Sequence, residues 1–248
     1  MNVSLFQNII SLASAALGAF AATAVGVSHR QLCALISFAA GSLFATTFFH
    51  ILPESWGALP FLAAVTALVS GYLLFYLISR YLFHVCPACA ASHFDEQTTH
   101  NFESTALLLF IAFGIHCTMD GIAVALGSEL AQKADRSIFL AVTIHKFPEG
   151  LALCALLMKG GFEKIQSLYM TLALEALTLL GWVVGLFLLK GMVLGPWFYF
   201  LLIHVGGSFV YLALHAVINE SKEHSPRYVL FFFLIGLAVN ALTSLIPD

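Results

Sequence analysis

Eight long apolar stretches, separated by short polar segments, run along this chain. A helix needs about 20 mostly apolar residues to cross the hydrocarbon core of a bilayer, and each stretch is long enough. The predicted spans are about 4–26, 32–52, 60–83, 105–128, 137–158, 166–189, 197–219 and 228–246. This pattern predicts a single all-α integral membrane domain over 1–248, with a longer polar loop at 84–104.

Composition agrees with a chain whose solvent is the lipid bilayer. Hydrophobic residues make up 60% of the sequence and charged residues only 9%, which is far from the balance of a soluble domain. The net charge of −3 leaves no large basic surface, so nucleic acid is excluded as a partner. Most of the five cysteines lie in apolar segments, and no disulfide framework is predicted.

The uneven distribution of basic residues predicts the orientation, because short cytoplasmic loops retain Lys and Arg. One set of loops is flanked by Arg30, Arg80, Lys159, Lys164, Lys222 and Arg227, and the other by Lys133, Arg136 and Lys190. The bias predicts that both termini lie outside the cytoplasm and that the 84–104 loop lies inside. A plasma membrane or a bacterial inner membrane is the expected location.

Several ionisable residues fall inside the predicted spans. The charged ones are Asp120, Lys146, Glu149 and Glu175, and the histidines in or at the ends of spans are His50, His116, His145, His204 and His215. Placing a charged side chain in lipid costs at least ~2.5–3.5 kcal/mol. These groups are therefore expected to face a polar interior and to carry the function.

Two of the spans contain nearly the same motif. Residues 115–126 and 144–153 share Ile-His, three variable positions, an acid and Gly. On a helix, His116 and Asp120 point about 40° apart, and so do His145 and Glu149. Packing the two faces together would bring two imidazoles and two carboxylates to one point, a ligand set that suits zinc, iron, manganese or cobalt.

The residue after each histidine decides how many ions fit. Asp120 lies angularly between His116 and Cys117 and could bridge two adjacent sites, but the corresponding position of the other motif is Lys146. An ammonium group repels a cation, so we expect one metal, with Lys146 compensating the buried carboxylate of Glu149 or Glu175.

Backbone features surround the motifs. Pro148 provides no amide hydrogen, and this predicts a kink in the fifth span. Gly121 and Gly150 follow the acids and are expected to let neighbouring helices approach closely. Interrupted helices at mid-membrane are typical of transporter binding sites.

The paired motifs resemble the signatures of the ZIP family of metal transporters. They read His116-Cys117-Thr118-Met119-Asp120-Gly121 and His145-Lys146-Phe147-Pro148-Glu149-Gly150, and the second span ends Phe49-His50-Ile51-Leu52-Pro53-Glu54. The resemblance covers essentially the whole chain. It implies an eight-helix bundle with an inverted repeat and uptake of zinc or a similar cation into the cytoplasm. It also implies that His116, Asp120, His145 and Glu149 are the primary ligands.

The chain departs from the common family pattern at two positions. Many relatives have Asn where Cys117 stands and an acid where Lys146 stands, and with an acid matching Glu175 these positions form a second metal site in some members. Cys117 has two interpretations, a ligand for a softer ion or simple packing in an apolar helix. Glu175 likewise is either a site residue or only the partner of Lys146.

Other histidines have two interpretations each. His204 and His215 lie about three turns apart on one face of the seventh span, where they could line a pathway or bond to neighbouring helices. His50 and Glu54 lie one turn apart and fit a pathway exit or an interfacial cap. The 84–104 loop contains His84, Cys86, Cys89, His93 and His100, which could chelate metal, although such short polar loops are often disordered.

The function predicted from these residues is transport of a divalent cation, with zinc as the first candidate and iron, manganese or cadmium as the others. The metal would be the substrate, and no cofactor or catalytic residue is expected. The alternative is a membrane-embedded metal hydrolase with Glu175 as base, although a His-Glu-x-x-His pattern is absent. A metal sensor would need an output domain that the sequence does not contain. Small residues 206–208 could serve packing within the chain or in a homodimer.

Overall fold

A computed structural model of the chain describes residues 3–24, 28–81, 102–130, 132–159, 161–191 and 195–242. Within these ranges the secondary structure is helical and contains no strand; an isolated bridge joins Trp56 and Leu59. The candidate ligands of the predicted loop, from His84 to His100, lie outside the described residues.

The described residues form eight helices in chain order. They are α1 Val3–Ala24, α2 His29–Glu54, α3 Phe61–Tyr81, α4 Phe102–Gly127, α5 Gln132–Lys159, α6 (Lys164–Glu175 and Leu177–Gly191), α7 Pro196–Glu223 and α8 Pro226–Ala241. Six of them are long and apolar enough to cross a membrane; the apolar segments Phe113–Gly127 in α4 and Pro226–Ala241 are shorter. The described part of the chain is thus an all-helical bundle suited to a membrane.

Local chemistry explains where several helices begin. The Ser28 side chain accepts from the amide of Gln31, whose side chain accepts from the amide of Ser28, so α2 starts with a capping box. Pro196 and Pro226 each take the first position of a helix, where a missing amide hydrogen costs nothing. Large apolar side chains such as Phe20, Leu62 and Phe187 point outward, as the bilayer requires.

Two helices are irregular. In α2 the segment Thr47–Ile51 is a π-helical turn, and in α6 a turn at Ala176 separates the two halves. Helix α5 runs without a break through Pro148, and the kink expected there stays a prediction. No sequence pattern indicated the π turn of α2, and π turns are often found at functional positions.

The most extensive helix contacts are made by four pairs: α1 with α5, α4 with α6, α2 with α8 and α3 with α7. In the first pair, a Cβ at Gly150 would overlap the carbonyl oxygen of Ala15, and a Cβ at Gly18 would overlap that of Phe147. Two backbones touch here because neither glycine has a side chain.

The same reciprocal contact occurs in the second pair. A Cβ at Gly121 would overlap the carbonyl of Thr178, and a Cβ at Gly181 would overlap that of Thr118. The predicted close approach at Gly121 and Gly150 is therefore confirmed. Each helix that carries a His-and-acid motif is pressed against one partner helix at the level of its motif.

The two remaining pairs repeat this arrangement. Gly41 of α2 meets the carbonyl of Phe233 while Gly236 of α8 meets that of Phe38. Gly207 of α7 meets the carbonyl of Leu68, and Gly71 of α3 meets that of His204. Gly207 thus serves packing within the chain.

Candidate metal centre

Four side chains from α4 and α5 meet in the interior. His116 Nε2 lies 2.9 Å from Glu149 Oε1, and His145 Nε2 lies 3.1 Å from Asp120 Oδ2. Each histidine therefore contacts the acid of the other helix more closely than its own, since the distances within each motif are 3.6 and 3.8 Å. One ligand atom from each residue lies within 4.8 Å of the other three.

Burial separates this cluster from both water and lipid. His145 is the most exposed of the four, at 6%, and Asp120 is wholly buried. The aromatic rings of Phe75 and Phe113 lie beside His116, and that of Phe209 lies beside His145. Imidazoles and carboxylates in such surroundings interact more strongly with a cation than they would in water.

A hydrogen bond fixes the orientation of one imidazole. Nδ1 of His145 is 2.8 Å from the carbonyl oxygen of Ala141. A carbonyl can only accept, so Nδ1 carries the proton, and in the neutral ring Nε2 is left with its lone pair directed at the cluster. A buried histidine whose second nitrogen is held in this way is the usual arrangement of a metal ligand.

Lys146 lies at the side of the cluster and connects three carboxylates. Its Nζ is 2.9 Å from Asp120 Oδ2, 2.9 Å from Glu149 Oε2 and 2.9 Å from Glu175 Oε2. Nζ also lies 3.3 Å from the sulfur of Cys117. The ammonium and all three acids are at most 5% exposed, so this ion group is held away from water.

Charge balance follows from that arrangement. With the carboxylates of Asp120, Glu149 and Glu175 ionised, Lys146 protonated and the imidazoles neutral, the group carries a net charge of −2. One divalent cation would neutralise it. Within the described structure, Asp120 Oδ1 and Glu175 Oε1 have no hydrogen-bond partner, and a buried polar atom in that state is costly.

The positions next to the two histidines are occupied in different ways. Cys117 lies on the Lys146 side, with its sulfur 3.7 Å from Glu175 Oε2. A second ligand group of Cys117, Glu149 and Glu175 exists there, but the ammonium of Lys146 contacts all three of its members. The geometry places an internal cation where a second ion would otherwise lie.

The remaining histidines named from the sequence lie outside the four-ligand group. His204 Nδ1 is 2.8 Å from the hydroxyl of Ser70, and His215 lies close to Tyr211 and Asn219 on its own helix. His50 is buried in the π turn of α2, and Glu54 ends that helix half-buried. Their role in a pathway stays a prediction.

One cluster of possible metal ligands was not predicted from the sequence. Cys33, Glu220 and His224 lie within ligand distance of one another, at the beginning of α2 and the end of α7. The nearby His29 contacts His224. A signal existed, because His29 and Cys33, and also Glu220 and His224, are spaced four residues apart like the ligands in the two motifs.

Comparison with known proteins gives a consistent result. A family model described as "ZIP Zinc transporter" matches residues 88–244. Zinc transporter ZIP13 of Pongo abelii is 25% identical over 86% of this chain, and zinc transporter YKE4 of Saccharomyces cerevisiae is 27% identical over 62%. Zinc transporter 3 of Arabidopsis thaliana is 24% identical over 60%.

The aligned parts cover 67%, 47% and 51% of these relatives, so the chain spans about half to two thirds of their length. The family consists of transporters and not of enzymes, which weighs against the hydrolase alternative. Its model matches more than half of the chain, including both His-and-acid motifs. The chain belongs to the ZIP zinc transporter family.

Proposed function

We propose that this protein carries a divalent metal cation, zinc first, across a membrane into the cytoplasm through the His116, Asp120, His145 and Glu149 cluster. The observation that carries the proposal is the convergence of two imidazoles and two carboxylates from α4 and α5 at one buried point. Two nitrogens and two oxygens are a donor set that zinc accepts in tetrahedral sites.

The chemistry of the cluster fits reversible binding. The imidazoles of His116 and His145 already lie against Glu149 and Asp120, so an arriving ion exchanges these contacts for bonds to the same atoms. No large rearrangement of the ligand side chains is needed. The ion leaves when α4 and α5 shift and the four ligands separate.

We further propose that one ion is carried at a time. The ammonium of Lys146 occupies the neighbouring position and contacts Asp120, Glu149 and Glu175. A second divalent ion within about 4 Å of it would meet strong repulsion in this buried environment. Glu175 is held by Lys146 and is therefore unlike the spare base that a hydrolase would need.

The repeated glycine contacts support an inverted repeat and eight spans. The pairs α1–α5 and α4–α6 make the same reciprocal contact, and so do the pairs α2–α8 and α3–α7. In the proposed repeat, α1 corresponds to α6, α2 to α7, α3 to α8 and α4 to α5. This correspondence converts the pair α1–α5 into α6–α4 and the pair α2–α8 into α7–α3. Such repeats commonly place the substrate site at their interface.

Orientation and surroundings complete the proposal. The basic residues favour termini outside the cytoplasm, in a plasma membrane or a bacterial inner membrane. A homodimer is compatible with the exposed apolar faces of the outer helices. The loop residues His84 to His100 are proposed to hold metal on the cytoplasmic side.

The test is uptake of radioactive zinc into sealed proteoliposomes that contain the native chain or a His145→Ala variant. We expect saturable uptake that the variant loses, with iron, manganese and cadmium as competitors to rank the cargo. Cys154→Ala is the matched control, because Cys154 is buried on the same helix but belongs to none of the ligand groups. Equal uptake by the native chain and His145→Ala would refute the proposed site.

The number of ions has its own test. Lys146→Glu replaces the internal cation with a fourth carboxylate, so the variant should bind one zinc ion more per chain than the native protein. Equilibrium dialysis with metal analysis measures both. An unchanged count in the variant would contradict the role given to Lys146.

A further inference from the structure

A second group of metal-ligating side chains lies at the membrane face where α2 begins and α7 ends. Its members are Cys33, Glu220 and His224, with ligand atoms within 4.8 Å of one another. His29 adjoins them, since its Nδ1 is 2.8 Å from His224 Nε2. These residues have no part in the transport site described above.

The two groups are separated along α7. The ring of Phe209 lies 6.5 Å from that of His145 and so marks the level of the transport site. Glu220 comes eleven residues later, or about 16 Å of helix. An ion at one group would share no ligand with an ion at the other.

Glu220 supplies the observation that points to a ligand. Its side chain is completely buried, and neither carboxylate oxygen accepts from a nitrogen or oxygen donor in the described structure; the neighbouring donor is the weak thiol of Cys33. The nearest ring nitrogen, Nε2 of His224, is 4.0 Å away. A buried carboxylate without compensation is costly, and a bound cation would remove that cost.

The donor set matches a transition metal. A thiolate, a carboxylate and an imidazole are all zinc ligands, and zinc sites are usually four-coordinate. His29 can supply the fourth donor by exchanging its contact with His224 for a bond to the ion, because its side chain is exposed at the aqueous edge of the group. Hard ions such as Mg²⁺ or Ca²⁺ would instead require oxygen ligands.

Access differs across the group. Cys33 and Glu220 are buried, the His224 side chain is 17% exposed, and His29 is exposed. Ligands arranged from water to interior in this way allow an ion to enter or leave from the aqueous side.

We propose that His29, Cys33, Glu220 and His224 form a second binding site for a zinc-like ion. This deepens the proposed function, because the site would lie on the cytoplasmic side.

The test uses cobalt in place of zinc in the full chain, with Cys33 retained as the only cysteine and the other four replaced by serine. Cobalt bound to a thiolate gives a charge-transfer absorption band, which in this protein can come only from Cys33. We expect the band to appear, to saturate as cobalt is added and to need at least tenfold more cobalt after Glu220→Gln or His224→Ala. The matched control is Glu223→Gln, because Glu223 lies three residues after Glu220 on the same helix and is exposed. This variant should leave the titration unchanged.

The native cysteines offer a second measurement if the serine variant is not monodisperse. X-ray absorption of the zinc-loaded native chain should show Zn–S scattering at about 2.3 Å that falls in Cys33→Ser and stays in Cys154→Ser. Absence of the cobalt band in a monodisperse protein, a band indifferent to Glu220→Gln, or sulfur scattering unchanged in Cys33→Ser would each overturn the site. Zinc uptake by the native chain decides the transport proposal separately, because it depends on His145.

Discussion

The two groups of candidate metal ligands use similar side chains but differ in how their buried negative charge is compensated. The central cluster concentrates three acids and includes Lys146, which contacts all of them. The group at the end of α7 contains one buried acid, Glu220, whose ion pair in the described part of the chain is with His224, at 4.0 Å. The three carboxylates of the central cluster are thus compensated by a cation of the chain itself, whereas Glu220 would depend on a bound ion for the same compensation.

The largest effect is expected from Lys146→Met, which removes the cation that distinguishes the central cluster from the group at the end of α7. Removing the ammonium leaves three buried carboxylates uncompensated, and we expect a loss of about 3–5 kcal/mol in the free energy of unfolding of the metal-free protein. Zinc should restore part of the loss, because the ion supplies the missing charge. Chemical denaturation in detergent with and without a chelator measures this effect. Lys222→Met, at an exposed position, serves as the control and should change little.

A change of ligand comes second. Asp120→Asn keeps the shape of the side chain but removes a negative charge that faces His116, His145 and Lys146. Zinc affinity should fall by more than the ~10–100-fold typical of residues behind the ligands. Competitive titration against a zinc-binding dye gives the value. An affinity within a factor of a few of the native one would remove Asp120 from the ligand set.

A smaller effect is expected from the contact that positions the cluster. Gly121→Ala places a methyl group on the carbonyl of Thr178, so α4 and α6 must separate, at about 1–3 kcal/mol of stability. Gly127→Ala on the same helix meets only the side chain of Ile138 and should cost less. Thermal unfolding of the two variants compares them. Equal melting temperatures would mean that the backbone contact has little energetic weight.

The smallest effect concerns His204. Its hydrogen bond to Ser70 predicts that His204→Phe costs about 0.5–1.5 kcal/mol of stability and leaves zinc affinity at the central cluster unchanged. Uptake kinetics separate the two interpretations of this residue. A fall in the maximal rate with unaltered stability would place His204 in the pathway.

The helices could be predicted closely because lipid imposes a strong constraint on sequence. The predicted spans 60–83 and 197–219 correspond to Phe61–Tyr81 and Pro196–Glu223. Helix ends were less accurate, since α7 continues past residue 219 to include Glu220. That shift hid the second group, because a glutamate assigned to a loop is expected to be solvated.

Helical periodicity was enough to predict that His116, Asp120, His145 and Glu149 meet. Two other features of the structure could not be predicted in this way. The crossed pairing, in which each histidine contacts the acid of the other helix, depends on how α4 and α5 are rotated against one another. The association of Cys33 with Glu220 joins residues that are far apart in sequence. Periodicity places side chains on a face but does not choose the partner of that face.

The reciprocal glycine contacts make α4 and α6 one tightly joined body and α1 and α5 another. His116 and Asp120 belong to the first body, and His145 and Glu149 belong to the second. An ion at the proposed site would therefore be a removable cross-link between the two bodies, whereas Lys146, which joins α5 to Asp120 and Glu175, is a permanent one. If release of an ion requires the two bodies to separate, the ion pairs of Lys146 would oppose that movement.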